Sequence, residues 1–226
     1  MKPRLLLLPG FGEDTYCFNE IVPHIKGYQF VHVDYRNALD KFTFPFITVN
    51  QFSRELIHQY KITPQDKLVG HSMGGYFAFQ IREIVGCQIC MIAAFNDTKK
   101  VLHLFPKFPR ITQISTLFGI SKSELVRNFL LNKIKNEDYK KIQAYTMRNF
   151  KTFSNIQLAL MTQMLYEKGI PSKLPNPLRI HDKADKVIAA PNEVYHSVKG
   201  GHFCLSLYPE ETITYMQDFL TINDKQ

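Results

Sequence analysis

Residues Gly70-His71-Ser72-Met73-Gly74-Gly75 set a hydroxyl between two glycines. A short apolar run, residues 67–70, comes just before, and a helical pattern, residues 73–85, starts just after. A Gly-x-Ser-x-Gly at a strand-to-helix junction puts the serine on a sharp turn with its hydroxyl proud of the sheet. The glycines remove side chains where the backbone crosses itself, and Gly75 adds room for close packing. The first amides of the next helix then point toward the serine, where the helix dipole favours negative charge. The chemistry this suits is nucleophilic attack, for which a serine needs a base.

Eight histidines are available. His71 adjoins Ser72, but neighbours on a strand diverge. His24, His58 and His103 fall in predicted helices or in a long insertion, and His32, His181 and His196 lie in or at the ends of predicted strands. His202 differs. It follows Gly200-Gly201 after the last predicted strand, on a loop at the carboxyl edge of the sheet, where ligands bind in open α/β folds. An imidazole base needs an acceptor to fix its tautomer. Asp185, in His181-Asp182-Lys183-Ala184-Asp185, is preferred to Asp182, and Asp97 is a further candidate. The preference rests on chain order: Ser72, Asp185 and His202 each end a separate strand. Donors for a developing oxyanion are expected from the N–H of Met73 and from the N–H of Phe11 in Pro9-Gly10-Phe11-Gly12.

The elements that must hold these groups are legible as alternating patterns. Residues 4–8, 29–33, 67–70, 87–94, 178–181 and 193–198 read as strands. Residues 16–25, 51–60, 73–85 and 209–220 carry helical spacing. The expectation is an α/β fold, doubly wound, with a mainly parallel sheet of about six strands and helices on both faces. Residues 1–95 and 173–226 form its two parts. Residues 96–172 are too long for a plain crossover and are expected to be a helical insertion over the carboxyl ends of the strands. Within it, 121–135, 137–150 and 153–168 read as helices, with Ser121 and Glu124 as a capping box. Phe105, Phe108, Phe118, Tyr145, Phe150, Phe153 and Tyr166 are candidates to line an apolar site there.

Composition narrows the classes. The chain has 226 residues, 45% hydrophobic and 21% charged, with a net charge of +8, which suits one folded domain and not a disordered chain. The basic residues read as scattered, with small clusters at Lys99-Lys100, Lys133/Lys135 and Lys140-Lys141. A solvated basic surface is therefore expected, not a nucleic-acid module. Cys87 and Cys90 have the spacing of a metal or redox pair, but on a strand they point to opposite faces, so no metal site is expected. The apolar start, residues 5–8, is shorter than the ~7–15 residues of a leader core. No run reaches the ~18–20 apolar residues of a membrane span. A cytoplasmic protein is expected.

These motifs together resemble the α/β-hydrolase superfamily. Leu8-Pro9-Gly10-Phe11-Gly12 is similar to its oxyanion loop, Gly70–Gly75 to its nucleophile elbow, residues 181–185 to its acid loop, and Gly201-His202-Phe203 to its base loop. The resemblance implies Ser72 as nucleophile, Asp185 as acid, His202 as base, Phe11 and Met73 as oxyanion donors, and the insertion as a cap. Three departures stand out. Pro9 precedes Gly10 where a histidine is common, Asp182 stands where the acid loop commonly has glycine, and there is no room for an N-terminal hairpin. The implied activity is a serine hydrolase acting on a small carboxylic ester, with no metal or organic cofactor. Two alternatives remain. One is an acyl-thioester hydrolase, since Ala78-Phe79 after the elbow and Gly-Gly-His-Phe near the end also look like editing thioesterases. The other is a non-catalytic protein that binds a small ligand on the same fold.

Overall fold

The computed structural model describes residues 2–102 and 109–221. Six strands form one sheet: β1 (Arg4–Leu8), β2 (Gln29–His32), β3 (Lys67–His71), β4 (Gln88–Ile92), β5 (Leu178–His181) and β6 (His196–Ser197). Their order is β2-β1-β3-β4-β5-β6, and every pairing is parallel. The four inner strands, β1, β3, β4 and β5, are mostly buried because both of their faces are covered, whereas the edge strands β2 and β6 are exposed or half-buried. Leu5, Leu7, Val69, Cys90, Ile92 and Ile180 pack on one side with Phe18, Leu205 and Met216. Leu6, Leu8, Leu68, Met91 and Cys87 pack on the other. Cys87 and Cys90 thus lie in different cores, and both are free thiols.

The chain leaves β1 toward one edge of the sheet and returns to β3 on the opposite side. The loops after β1 and β3 therefore diverge, which opens a crevice at their carboxyl ends. The helices around the sheet are α1 (Arg36–Leu39), α2 (Val49–Tyr60), α3 (Met73–Val85), α8 (Cys204–Leu207) and α9 (Pro209–Leu220). A Thr48–Gln51 capping box starts α2. The expected helix over 16–25 is instead two 3-10 turns, Thr15–Phe18 and Val22–His24, the second holding Pro23 in its first turn. The last strand is shorter than residues 193–198.

Between β4 and β5 lie α4 (Pro109–Leu117), α5 (Glu124–Asn132), α6 (Glu137–Asn149) and α7 (Asn155–Met164). The sequence did not reveal α4. Ser123, not Ser121, caps α5, accepting from Val126 N. Ser154 and Gln157 form a full capping box on α7. Leu158, Leu160, Met161 and Met164 of α7 are buried in the same core as α2 and α3, so this helix is part of the main body. His103, Phe105 and Phe108 lie outside the described residues. Among the described residues no helix is long and apolar enough to cross a membrane.

The tightest packing is where α3 starts. A Cβ on Gly74 would lie 2.0 Å from the Leu8 carbonyl oxygen and 2.4 Å from that of Pro9. Helix propensity alone favours Gly→Ala by about 1 kcal/mol. Here the clash with backbone reverses the sign. Gly74→Ala is expected to lower stability by about 1–3 kcal/mol, read as a fall in the urea midpoint.

Candidate active site

Ser72 occupies the turn between β3 and α3 with φ 52° and ψ −121°, a left-sided conformation that costs a non-glycine residue about 1–3 kcal/mol. Two anchors hold it. Ser72 N donates to the Ile92 carbonyl at 3.0 Å, and its own carbonyl accepts from Gly75 N at 3.0 Å. The loop after β1 runs close by: a Cβ on Gly10 would lie 3.1 Å from the Ser72 Cβ. Phe11, in that loop, and Met73, at the start of α3, line one cavity together with Ser72 and His202.

His202 is buried in a single 3-10 turn after the left-handed Gly200. Its Nδ1 is 2.9 Å from Asp185 Oδ2. The other oxygen, Oδ1, accepts from Val187 N at 2.7 Å and Ile188 N at 3.1 Å. Burial by itself would raise the Asp185 carboxyl, but the His202 imidazole and these two amides outweigh it and hold the group below its ordinary range. Asp182, the alternative acid, serves the backbone: its Oδ2 accepts from Gly201 N at 2.7 Å and its Oδ1 from Ala184 N at 2.8 Å. Asp97 caps a turn by accepting from Lys99 N. The structure thus brings Ser72, Asp185, His202, Phe11 and Met73 to one place, and leaves Asp97 away from it.

His71 turns away from Ser72, as neighbours on a strand do, and meets a residue that no motif had singled out, Glu13. His71 Nδ1 donates to Glu13 Oε2 at 2.8 Å, and Nε2 donates to the His202 carbonyl at 2.8 Å. With an acceptor at each nitrogen the ring is held as an imidazolium. Burial would lower its pKa, yet the Glu13 carboxylate overrides this and raises it. Burial likewise would raise Glu13, but His71 and the Gly10 amide, which donates to Oε2 at 2.8 Å, pull it down. The buried pair therefore ties the loop after β1 to the loop carrying His202. The available signal was a carboxylate three residues beyond Gly10, too close to the predicted site to be a plain surface charge.

Of the other described histidines only His181 borders the site, its Nε2 lying 3.8 Å from Asp185 Oδ2. His181 Nε2 donates to the Ile188 carbonyl at 3.1 Å, His32 meets Thr15, His196 stacks on Tyr215, and His24 and His58 are exposed. Glu13, Cys17 and His71 are the one cluster of possible metal ligands among the described residues. Glu13 and His71 already satisfy each other, and burial pushes the Cys17 thiol far up, which disfavours the thiolate a metal needs.

The cavity has a volume of about 320 Å³. Its apolar wall includes Met147, Phe150, Leu165, Val187 and Ile188, and α4 and α5 cover it with Thr112, Ser115, Thr116, Val126 and Leu130. Of the aromatic candidates, Phe150 lines it, edge-on to Phe11 at 5.5 Å between ring centres. Phe153 is core, Phe118 is exposed, Tyr145 hydrogen-bonds Asp14, and Tyr166 lines a separate cavity.

No protein-family model and no curated protein sequence matches the chain. Solved structures do. A hydrolase from Oleispira antarctica aligns with a TM-score of 0.73 at 14% identity, over 99% of this chain and 92% of that one. The enol-lactonase from Burkholderia xenovorans LB400 aligns with a TM-score of 0.73 at 15% identity, over 98% and 92%. A bromoperoxidase from Bacillus anthracis aligns at 0.66 and 18%, over 96% and 92%. The chain has the α/β-hydrolase fold. At such identities the likeness defines the fold, and the reaction must be argued from the site.

Glu13→Gln removes one side of the buried pair, which costs about 3–5 kcal/mol. The depressed Glu13 pKa adds stability above its ordinary value of 4.5 and loses it as pH falls through the folded value. The raised His71 pKa adds stability below its ordinary value of 6.5 and loses it as pH rises through the folded value. The stability gap between wild type and Glu13→Gln, measured by urea unfolding, is therefore expected to be widest between those two values and to narrow in alkali. A gap flat across that range and into alkali would mean that the pair is not ionised.

Proposed function

We propose that the protein is a serine hydrolase that cleaves small carboxylic esters through an acyl-enzyme. The observation that carries this reading is the buried His202, held by Asp185 at 2.9 Å, opening on the same cavity as a serine in a strained turn. With Nδ1–H given to the carboxylate, Nε2 is the basic nitrogen. His202 takes the Ser72 proton as Oγ attacks the ester carbonyl. The amides of Phe11 and Met73 receive the oxyanion, and His202 then protonates the leaving alcohol. Water activated by the same imidazole attacks the acyl-enzyme and restores Ser72.

Asp185 stays ionised throughout, since its lowered pKa reflects stabilisation of the carboxylate. The cavity is at the small end of ligand sites, about 300–1,000 Å³, and its apolar wall suits a short acyl or aryl group. An acyl thioester would follow the same steps; turnover of a short acyl-CoA against a p-nitrophenyl ester of equal acyl length separates the two. The four free, buried cysteines suit a reducing compartment, and a cytoplasmic location is part of the proposal.

A fluorophosphonate probe is expected to label wild type, and Ser72→Ala to abolish both labelling and ester turnover. Asp185→Asn should keep the fold and lower kcat on the order of 10⁴-fold through the wrong imidazole tautomer. Unchanged labelling of Ser72→Ala would overturn the reading. Ligand binding retained in that variant, with no burst of product from wild type on any activated ester, would favour a binding protein.

A further inference from the structure

Both helices that cover the cavity present apolar side chains to solvent, and α4 is inside out. Along α4 and its C-terminal turn, Ile111, Ile114 and Phe118 recur at helical spacing and face solvent, whereas Thr112, Ser115 and Thr116 face the cavity. On α5, Leu125 and Phe129 are exposed while Val126 and Leu130 turn inward. Phe118 and Leu125 are 79% and 84% exposed. Single apolar side chains on a surface need no explanation, but five on two neighbouring helices mark a docking face.

The charge around this face selects its occupant. Residues 96–172 hold 13 of the 28 Lys and Arg but only 5 of the 20 Asp and Glu. This segment thus carries the protein's whole net charge of +8. Residues 109–151 alone hold nine basic residues against three acidic ones. Arg110, Lys133 and Lys135 are exposed and form no ion pair among the described residues. Lys133 Nζ lies 4.0 Å from the centre of the Phe129 ring, so cation and apolar group are presented together. Apolar side chains flanked by lysine and arginine match an interface of acyl chains and anionic headgroups. A second copy of the chain would oppose like charges and fits poorly.

We propose that the outer face of α4 and α5 docks on an anionic phospholipid surface. The side chains of α4 and α5 enter the headgroup boundary, the basic residues meet the phosphates, and no element crosses the bilayer. Docking does not depend on the hydrolytic reading, so Ser72→Ala should bind as wild type does.

The test is co-sedimentation of the full chain with phosphatidylcholine vesicles, with and without phosphatidylglycerol. Wild type is expected to bind the anionic vesicles at least about tenfold more than the neutral ones. That binding should weaken as NaCl rises from about 0.1 to about 0.5 M. Phe118→Asp with Leu125→Asp, and separately Lys133→Glu with Lys135→Glu, should each cut it about tenfold or more. Both side chains of the first pair are exposed and outside the cavity, so melting temperature and turnover of a soluble ester should stay unchanged. Equal binding to neutral and anionic vesicles, no binding, or unaltered binding by both double variants would overturn the proposal. A wild-type dimer in sedimentation velocity that becomes monomeric in Phe118→Asp with Leu125→Asp would assign the face to a second copy instead.

Discussion

A carboxylate and an imidazolium, both out of reach of water, face each other behind the candidate site. Isolated, either charge would cost several kcal/mol to bury. Glu13 and His71 offset that cost only while they remain in contact and keep their other partners, the Gly10 amide and the His202 carbonyl. Each partner belongs to a different loop. A shift of the turn after β1, of the elbow after β3 or of the turn holding His202 would orphan a buried charge. The pair therefore penalises movement in all three, and the loops that carry Ser72, Phe11, Met73 and His202 are held in one arrangement.

Two residues that set these loops apart from the motifs they resemble, Pro9 and Asp182, make sense within that arrangement. Pro9 stands where a histidine is common, yet its loop does not lack bracing. Tyr35 Oη donates to the Pro9 carbonyl at 2.8 Å, and Asn149 Nδ2 donates to that of Gly12 at 2.9 Å. The Phe150 ring lies where a Cβ on Gly12 would sit, about 2.2 Å from its nearest atom. The far end of α6 thus presses on the loop from above. Asp182 does what a glycine there could not: its carboxylate accepts from the Gly201 amide and joins the turn carrying His202 to the turn carrying Asp185.

Much of the framework could be read from residue order. Leu5-Leu6-Leu7-Leu8 is apolar throughout because alternate side chains enter opposite cores, and a run of this kind between turn signals announces a covered parallel strand. The Gly-x-Ser-x-Gly spacing announces the elbow because only glycine tolerates the approach of the Leu8 and Pro9 carbonyls. The partnership of Glu13 and His71 was not readable, since it joins positions 58 apart and depends on which face of β3 the ring takes. Nor was α4, whose apolar residues face outward and whose threonines face inward, against the polarity that pattern reading assumes. Residues 16–25 looked helical by spacing alone, and Pro23 together with short-range 3-10 bonds broke that pattern.

The interleaving of α7 with the main core ties the segment after β4 to the rest of the fold. Leu158, Met161 and Met164 are rooted among the helices beneath the sheet, so the segment cannot swing away as a hinged whole without tearing that packing open. Helix α4 is fastened to this rooted helix, with Gln113 Nε2 donating to Gln163 Oε1 and Asn155 Nδ2 to the Leu117 carbonyl at 3.0 Å. The cover over the cavity is therefore footed on the main body through α7, and a change at the α4–α7 seam would be felt by both the core and the cavity wall.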